Sequence, residues 1–222
     1  MSKTFLVVDD HPIIHRSVTQ DLTELHPDCQ VLRAGKLEQA IRTLQQRTQI
    51  DMVLLDLNLP DSRGVDTLEA LHQQFPDCRI VVFSGETDSP TILRCLEQGA
   101  SGYIPKLLPE PEMLNAVRLV AQGFTYVPPQ ILSQDAASGA RKPGQPARAQ
   151  TTDPRELGLT DRQIDVLRLI LQGMPNKLIC RELNLAEGTV KVHVSAVLRL
   201  LGVRTRTQAV IAVSRLGLRM PT

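Results

Sequence analysis

Phe5-Leu6-Val7-Val8-Asp9-Asp10 is an apolar run that stops on two carboxylates. Apolar at every position and too short for a helix, the run reads as a strand buried on both faces. The pattern recurs at Val31–Ala34, Met52–Leu55, Ile80–Phe83 and Gly102–Ile104. Helical periodicity fills the intervals, at Ile14–Leu25, Leu37–Gln46, Val65–Phe75, Thr91–Gln98 and Glu110–Gln122. This alternation predicts a doubly wound α/β domain of (βα)5 form, a parallel sheet with helices on both faces. Reactive groups in such folds lie at the carboxyl ends of the strands.

Those ends carry a particular set of residues. Asp9 and Asp10 follow the first strand, Asp56 the third, Ser84 the fourth and Lys106 the fifth. One such aspartate is as well explained by capping of the next helix; the set at successive strand ends is not. Crowded carboxylates repel and call for a hard cation with oxygen ligands, Mg²⁺ being the natural choice. A lysine and a hydroxyl beside them suit phosphoryl transfer onto a carboxylate, with Asp56 attacking and Lys106 neutralising charge.

The chain has 222 residues and a formal net charge of +1, with 42% hydrophobic and 22% charged residues, which excludes a wholly disordered protein. The near-neutral total conceals a division. Residues 1–128 hold 11 Lys/Arg against 17 Asp/Glu, residues 129–155 hold 4 against 2, and residues 156–222 hold 10 against 5. The middle stretch, with Ser138-Gly139-Ala140-Arg141-Lys142-Pro143-Gly144, has little to bury and reads as a flexible linker. Cys29, Cys78, Cys95 and Cys180 form no CxxC pair, so neither a zinc site nor a disulfide framework is expected. No apolar run is long enough to span a bilayer and no signal-peptide pattern opens the chain, so a cytoplasmic protein without membrane contact is expected.

Residues 156–222 show only helical periods, at Asp161–Gln172, Lys177–Asn184, Glu187–Leu201 and Thr207–Leu216. They form a separate small all-α domain of four helices. Thr160 and Gln163 fit a capping box, and Gly173 and Gly202 fall where helices end. Leu183, Leu185, Val190, Val194, Val197, Leu198 and Leu201 supply a core, while Lys191, Val192, Ser195 and Arg199 fall on the opposite side of the third helix. A basic face on such a helix suits the major groove of DNA.

The first part resembles the receiver domains of two-component response regulators over about residues 3–125. The resemblance rests on Val7-Val8-Asp9-Asp10, Leu55-Asp56-Leu57-Asn58-Leu59-Pro60, Val82-Phe83-Ser84-Gly85 and Gly102-Tyr103-Ile104-Pro105-Lys106. It implies that Asp56 accepts a phosphoryl group from a sensor histidine kinase. It implies Mg²⁺ held by Asp10, Asp56 and the carbonyl of Asn58, with Asp9 assisting through water. Ser84 and Lys106 would bind phosphate oxygens, and Tyr103 would turn inward as Ser84 moves. Turnover of a separate substrate is not implied: a receiver assists only its own phosphorylation and dephosphorylation. A phosphatase of related chemistry would place an acidic residue two positions after the nucleophile, where Asn58 stands. His15 is expected on the helix surface, and His11 near the site.

The third part resembles the DNA-binding domain of LuxR-type regulators over about residues 157–216, through Leu159-Thr160-Asp161-Arg162-Gln163, Val166-Leu167, Gly173, Asn176-Lys177, Ile179, Thr189-Val190-Lys191-Val192-His193 and Leu201-Gly202-Val203. Together the halves are similar to the NarL/FixJ class of response regulators, which implies a transcriptional regulator with a helix-turn-helix. Lys191, Val192 and Ser195 would read base edges. Lys177, Thr189, Arg199, Arg204 and Arg206 would supply further DNA contacts, several of them to phosphates. The last helix would pair two copies on an inverted repeat of double-stranded DNA, with RNA polymerase a further partner. Ala186 stands where the family often has a hydroxyl cap, so a frayed start to the third helix is expected. Pro175 is expected in the first turn of the second helix.

Overall fold

The computed structural model describes residues 3–47, 49–131, 153–218 and 220. They divide into two compact units, one of residues 1–122 and 126–128, the other of 123–125 and 129–222. The expected linker, 129–155, lies mostly outside the described residues.

The first unit is a five-stranded sheet of β1 (Thr4–Val8), β2 (Gln30–Ala34), β3 (Met52–Leu55), β4 (Ile80–Ser84) and β5 (Gly102–Pro105), all parallel in the order β2-β1-β3-β4-β5. Its helices are α1 (Pro12–Leu25), α2 (Leu37–Gln46), α3 (Val65–Gln74), α4 (Ser89–Glu97) and α5 (Glu110–Ala121). Every residue of β3 and β4 is buried, as is β1 after Thr4, while the edge strand β2 is largely accessible. Continuous apolar runs therefore mark the strands covered on both faces. Phe5, Val7, Leu54 and Phe83 pack on one face against Val18 and Leu22 of α1 and Val117 and Val120 of α5.

The elements fall where the periodicity put them, with shifts at their ends. Helix α1 begins at Pro12, two residues early, because proline suits the first helical position. Helix α4 begins at Ser89, where the Asp88 side chain accepts from the amide of Thr91. Ser84 is the last residue of β4 rather than the residue after it.

The second unit contains a short 3₁₀ turn (Pro154–Leu157) and helices α6 (Asp161–Leu171), α7 (Asn176–Leu183), α8 (Glu187–Leu200) and α9 (Arg206–Leu216). The capping box at Thr160 and Gln163 is formed, and a second one joins Thr205 and Gln208. Asn184 ends α7 with φ 50°, a left-handed turn that redirects the chain into α8. Val166, Leu167, Ile170, Ile179, Val190, Val194 and Val197 interlock as the core. Pro175 is the N-cap of α7 rather than part of its first turn, and neither Pro175 nor Ala186, the N-cap of α8, provides a side-chain cap. All four cysteines are free, and among the described residues no helix is long and apolar enough to cross a membrane.

Candidate functional site

Register builds the acidic site. Val8 pairs with Leu55 across β1 and β3, and the amide of Asp56 donates to the carbonyl of Val8 at 2.9 Å, so Asp9 and Asp56 emerge side by side. This is where the order of the sheet reverses, the position at which open α/β sheets bind ligands. The amide of Lys106 donates to the carbonyl of Ser84 at 2.8 Å, which brings the ends of β4 and β5 to the same edge.

Asp9 and Asp56 are 1% and 3% exposed. Lys106 Nζ lies 2.6 Å from Asp56 Oδ2 and 2.7 Å from Asp9 Oδ2 and also sits over the Phe83 ring. Lys106 thus bridges the two carboxylates, with its hydrogen bond directed to Asp56. Asp9, Asp10, His11 and Asp56 each offer a ligand atom, all within 4.8 Å of one another. Three of the four donors are carboxylates, a set that fits a hard divalent cation.

His15, Glu86 and Tyr103 stand differently from expectation or were not anticipated. His15 is not a surface residue. It is 6% exposed, and its Nε2–H donates to the Asp9 carbonyl at 2.6 Å, tying α1 to the turn that presents Asp9 and Asp10. His11 Nδ1 lies 3.0 Å from Asp9 Oδ1 and 2.8 Å from Asp10 Oδ1. Glu86 ties three parts of the site together. Its carbonyl accepts from Tyr103 Oη at 2.8 Å, its carboxylate from Asn58 Nδ2 at 3.2 Å, and its amide donates to Ser84 Oγ at 3.4 Å. Tyr103 is already inside, fully buried, and burial pushes its phenol above the ordinary range.

The loop carrying Asn58 is braced from two sides. Thr67 Oγ1 donates to the Leu57 carbonyl at 2.9 Å, and the Asp61 carboxylate accepts from the amides of Leu37 and Glu38 at 2.9 and 3.0 Å.

On the second unit, Lys191, Val192, Ser195 and Arg199 lie together on the open face of α8 and, with Ala196, line a shallow depression. Val192 is 67% exposed. Lys191 Nζ lies 2.9 Å from Glu187 Oε1, and this contact holds the Glu187 carboxyl below its usual range. Lys177, Thr189 and Arg204 are exposed nearby in the sequence. Arg206 is partly buried. Its guanidinium donates to the Met174 carbonyl at 2.6 Å and to Asn176 Oδ1, joining α9 to the start of α7. Burial lowers its pKa to about 10. Those partners give Arg206 a structural task beside the phosphate contact expected of it.

Residues 5–118 match the family described as the response regulator receiver domain, and residues 157–213 match the luxR family of bacterial regulatory proteins. The chain is 36% identical over 209 residues to the nitrate/nitrite response regulator protein NarL of Escherichia coli (strain K12), covering 94% of this chain and 93% of that one. It is 34% identical over 207 residues to the glycerol metabolism activator of Pseudomonas putida, covering 93% of each. A LuxR-family two-component response regulator from Aurantimonas sp. SI85-9A1 superposes with a TM-score of 0.52 at 29% identity, covering 64% of this chain and 100% of that one.

Proposed function

The chain belongs to the two-component response regulators of the NarL/FixJ class, transcriptional regulators that join a receiver to a LuxR-type DNA-binding domain, and from that premise we propose how its own residues do this work. Residues 1–128 are the phosphoacceptor domain and residues 156–222 the DNA-binding domain, with 129–155 between them. A sensor histidine kinase presents a phosphoryl group to Asp56. An Asp56 carboxylate oxygen attacks phosphorus in line, the bond from phosphorus to the kinase imidazole nitrogen breaks, and an acyl phosphate forms. Lys106, already against Asp56, offsets charge on the transferred oxygens, and Ser84 donates its hydroxyl to one of them. Mg²⁺ would be held by Asp10, Asp56 and the Asn58 carbonyl, with Asp9 behind them, and when bound supplies further neutralisation of those oxygens.

The observation that carries this reading is the burial of Asp56 beside Asp9 with a single lysine against both. Two adjacent buried carboxylates weaken a fold unless something compensates, so their presence marks a site for chemistry. The phosphoryl group adds roughly −1.5 to −2 charges and three acceptors. Ser84 is pulled toward it, and Glu86, bonded to Ser84, Asn58 and Tyr103, carries that shift into the β4–α4 loop. Because Tyr103 is already inside, the loop moves and the ring holds its place.

In the DNA-bound form, Lys191, Val192 and Ser195 meet base edges, and Lys177, Thr189, Arg199 and Arg204 meet phosphates. Their exposure on or near α8 supports this reading. Two copies bind an inverted repeat through α9. Labelling with radioactive acetyl phosphate tests the first half of the proposal. Wild type takes up label with Mg²⁺ and not with a chelator, and Asp56→Asn takes up none; full labelling of the variant refutes it.

A further inference from the structure

Glu187 is an acid on the face offered to DNA, where phosphates would repel it. It is the first residue of α8, 66% exposed, and the acid nearest the exposed Lys191, 2.9 Å away. The first turn of a recognition helix is the part that reaches base edges. Gly188 follows it with an ordinary backbone, and a Cβ there would meet nothing within 4 Å. The fold therefore does not require glycine at 188, and its bareness leaves this turn free to enter a groove closely.

Resting on the DNA-binding reading above, we infer that Glu187 and Lys191 act as one unit that reads a C·G base pair. The chemistry is complementary. Cytosine presents the N4 amino donor in the major groove, and its paired guanine presents the O6 and N7 acceptors beside it. A carboxylate accepts the first and an ammonium donates to the second, so the ion pair opens onto a base pair with the matching pattern. An A·T pair also offers a donor, adenine N6, but its thymine gives Lys191 one acceptor and a methyl where guanine gives two acceptors, and the reversed pairs set Glu187 against an acceptor or a methyl group. Glu187 is thus a specificity-determining residue whose charge lowers affinity for wrong sites.

A carboxylate in the first turn also suits the helix dipole. That role alone predicts that removing it weakens binding to all sequences alike. The two are separated with the full-length chain. Wild type selects duplexes from a randomised pool, and the selected duplex is then varied through all four base pairs at every position. We expect one position in each half-site where C·G is preferred roughly tenfold, the discrimination of one good base contact. In Glu187→Ala discrimination falls at that position alone, the remainder being held by Lys191, and duplexes mismatched there bind more tightly than they bind wild type. If the variant keeps the wild-type profile at every position, or loses affinity uniformly, the inference is wrong while the DNA-binding reading stands. If wild type selects no sequence at all, both fall.

Discussion

Replacing Lys106 with methionine removes the ammonium in ionic contact with both Asp9 and Asp56 and leaves the aliphatic bulk in place. Breaking a buried ion pair by deleting one partner typically costs about 3–5 kcal/mol, because the remaining charge keeps its desolvation without its compensation. Here one ammonium lies 2.6 and 2.7 Å from two carboxylates, which argues for the full range. Its side chain is 13% exposed and Asp10 is 36% exposed, so water reaches part of the cluster and the lower end, about 3 kcal/mol, is expected. Because the chain has two units, the measurement must report on the first alone. Native-state hydrogen exchange at the amides of Val8 and Asp56 does so, since both sit at the centre of the sheet. A divalent cation in the same cluster should offset the loss: Mg²⁺ at a hundred times its dissociation constant returns about 2.7 kcal/mol. The variant should therefore be far more Mg²⁺-dependent in stability than wild type. A loss below about 1 kcal/mol, or one that Mg²⁺ leaves untouched, would refute the claim that Lys106 balances two buried carboxylates.

Three other outcomes are expected. Burial works to raise the Asp61 pKa, but the amides of Glu38 and Leu37 hold it below its ordinary value, so its contribution is present at neutral pH and fades as acid titrates it. Asp61→Ala should cost about 1 kcal/mol at pH 7, as for other helix caps, with the difference shrinking in acid denaturation curves. Arg206→Ala should lower the thermal stability of the second unit, and Lys177→Ala should reduce the salt slope of DNA binding by about one ion. Ala186→Ser should stabilise α8 by about 1 kcal/mol and slow amide exchange at Thr189–His193 in the free protein; strong protection there already in wild type would show that the uncapped helix start is firm.

The sheet was legible because four of its strands, all but the edge strand β2, are covered on both faces, which leaves runs such as Phe5–Val8 with no polar interruption. The acidic site followed from it, since Asp9, Asp56, Ser84 and Lys106 can only converge once the strands are parallel. The exceptions depend on tertiary contacts that no local pattern records. His15 looked like a surface residue because helical period says nothing of the turn before a helix; here that turn folds the Asp9 carbonyl onto its ring. The bonds of Arg206 to the Met174 carbonyl and Asn176 were not legible, because its partners lie about thirty residues away in the chain. Glu86 carries no sequence signal at all, for two of its three bonds are through its backbone.

The central claim is that phosphorylation of Asp56 governs DNA binding by the second unit. Its most direct test is the affinity of the full-length chain for a duplex selected by the protein itself, measured at fixed salt with and without acetyl phosphate and Mg²⁺. Affinity should change on phosphorylation in wild type and stay fixed in Asp56→Asn. An equal change in both proteins, or none in a wild type shown to carry the phosphoryl group, would contradict the account.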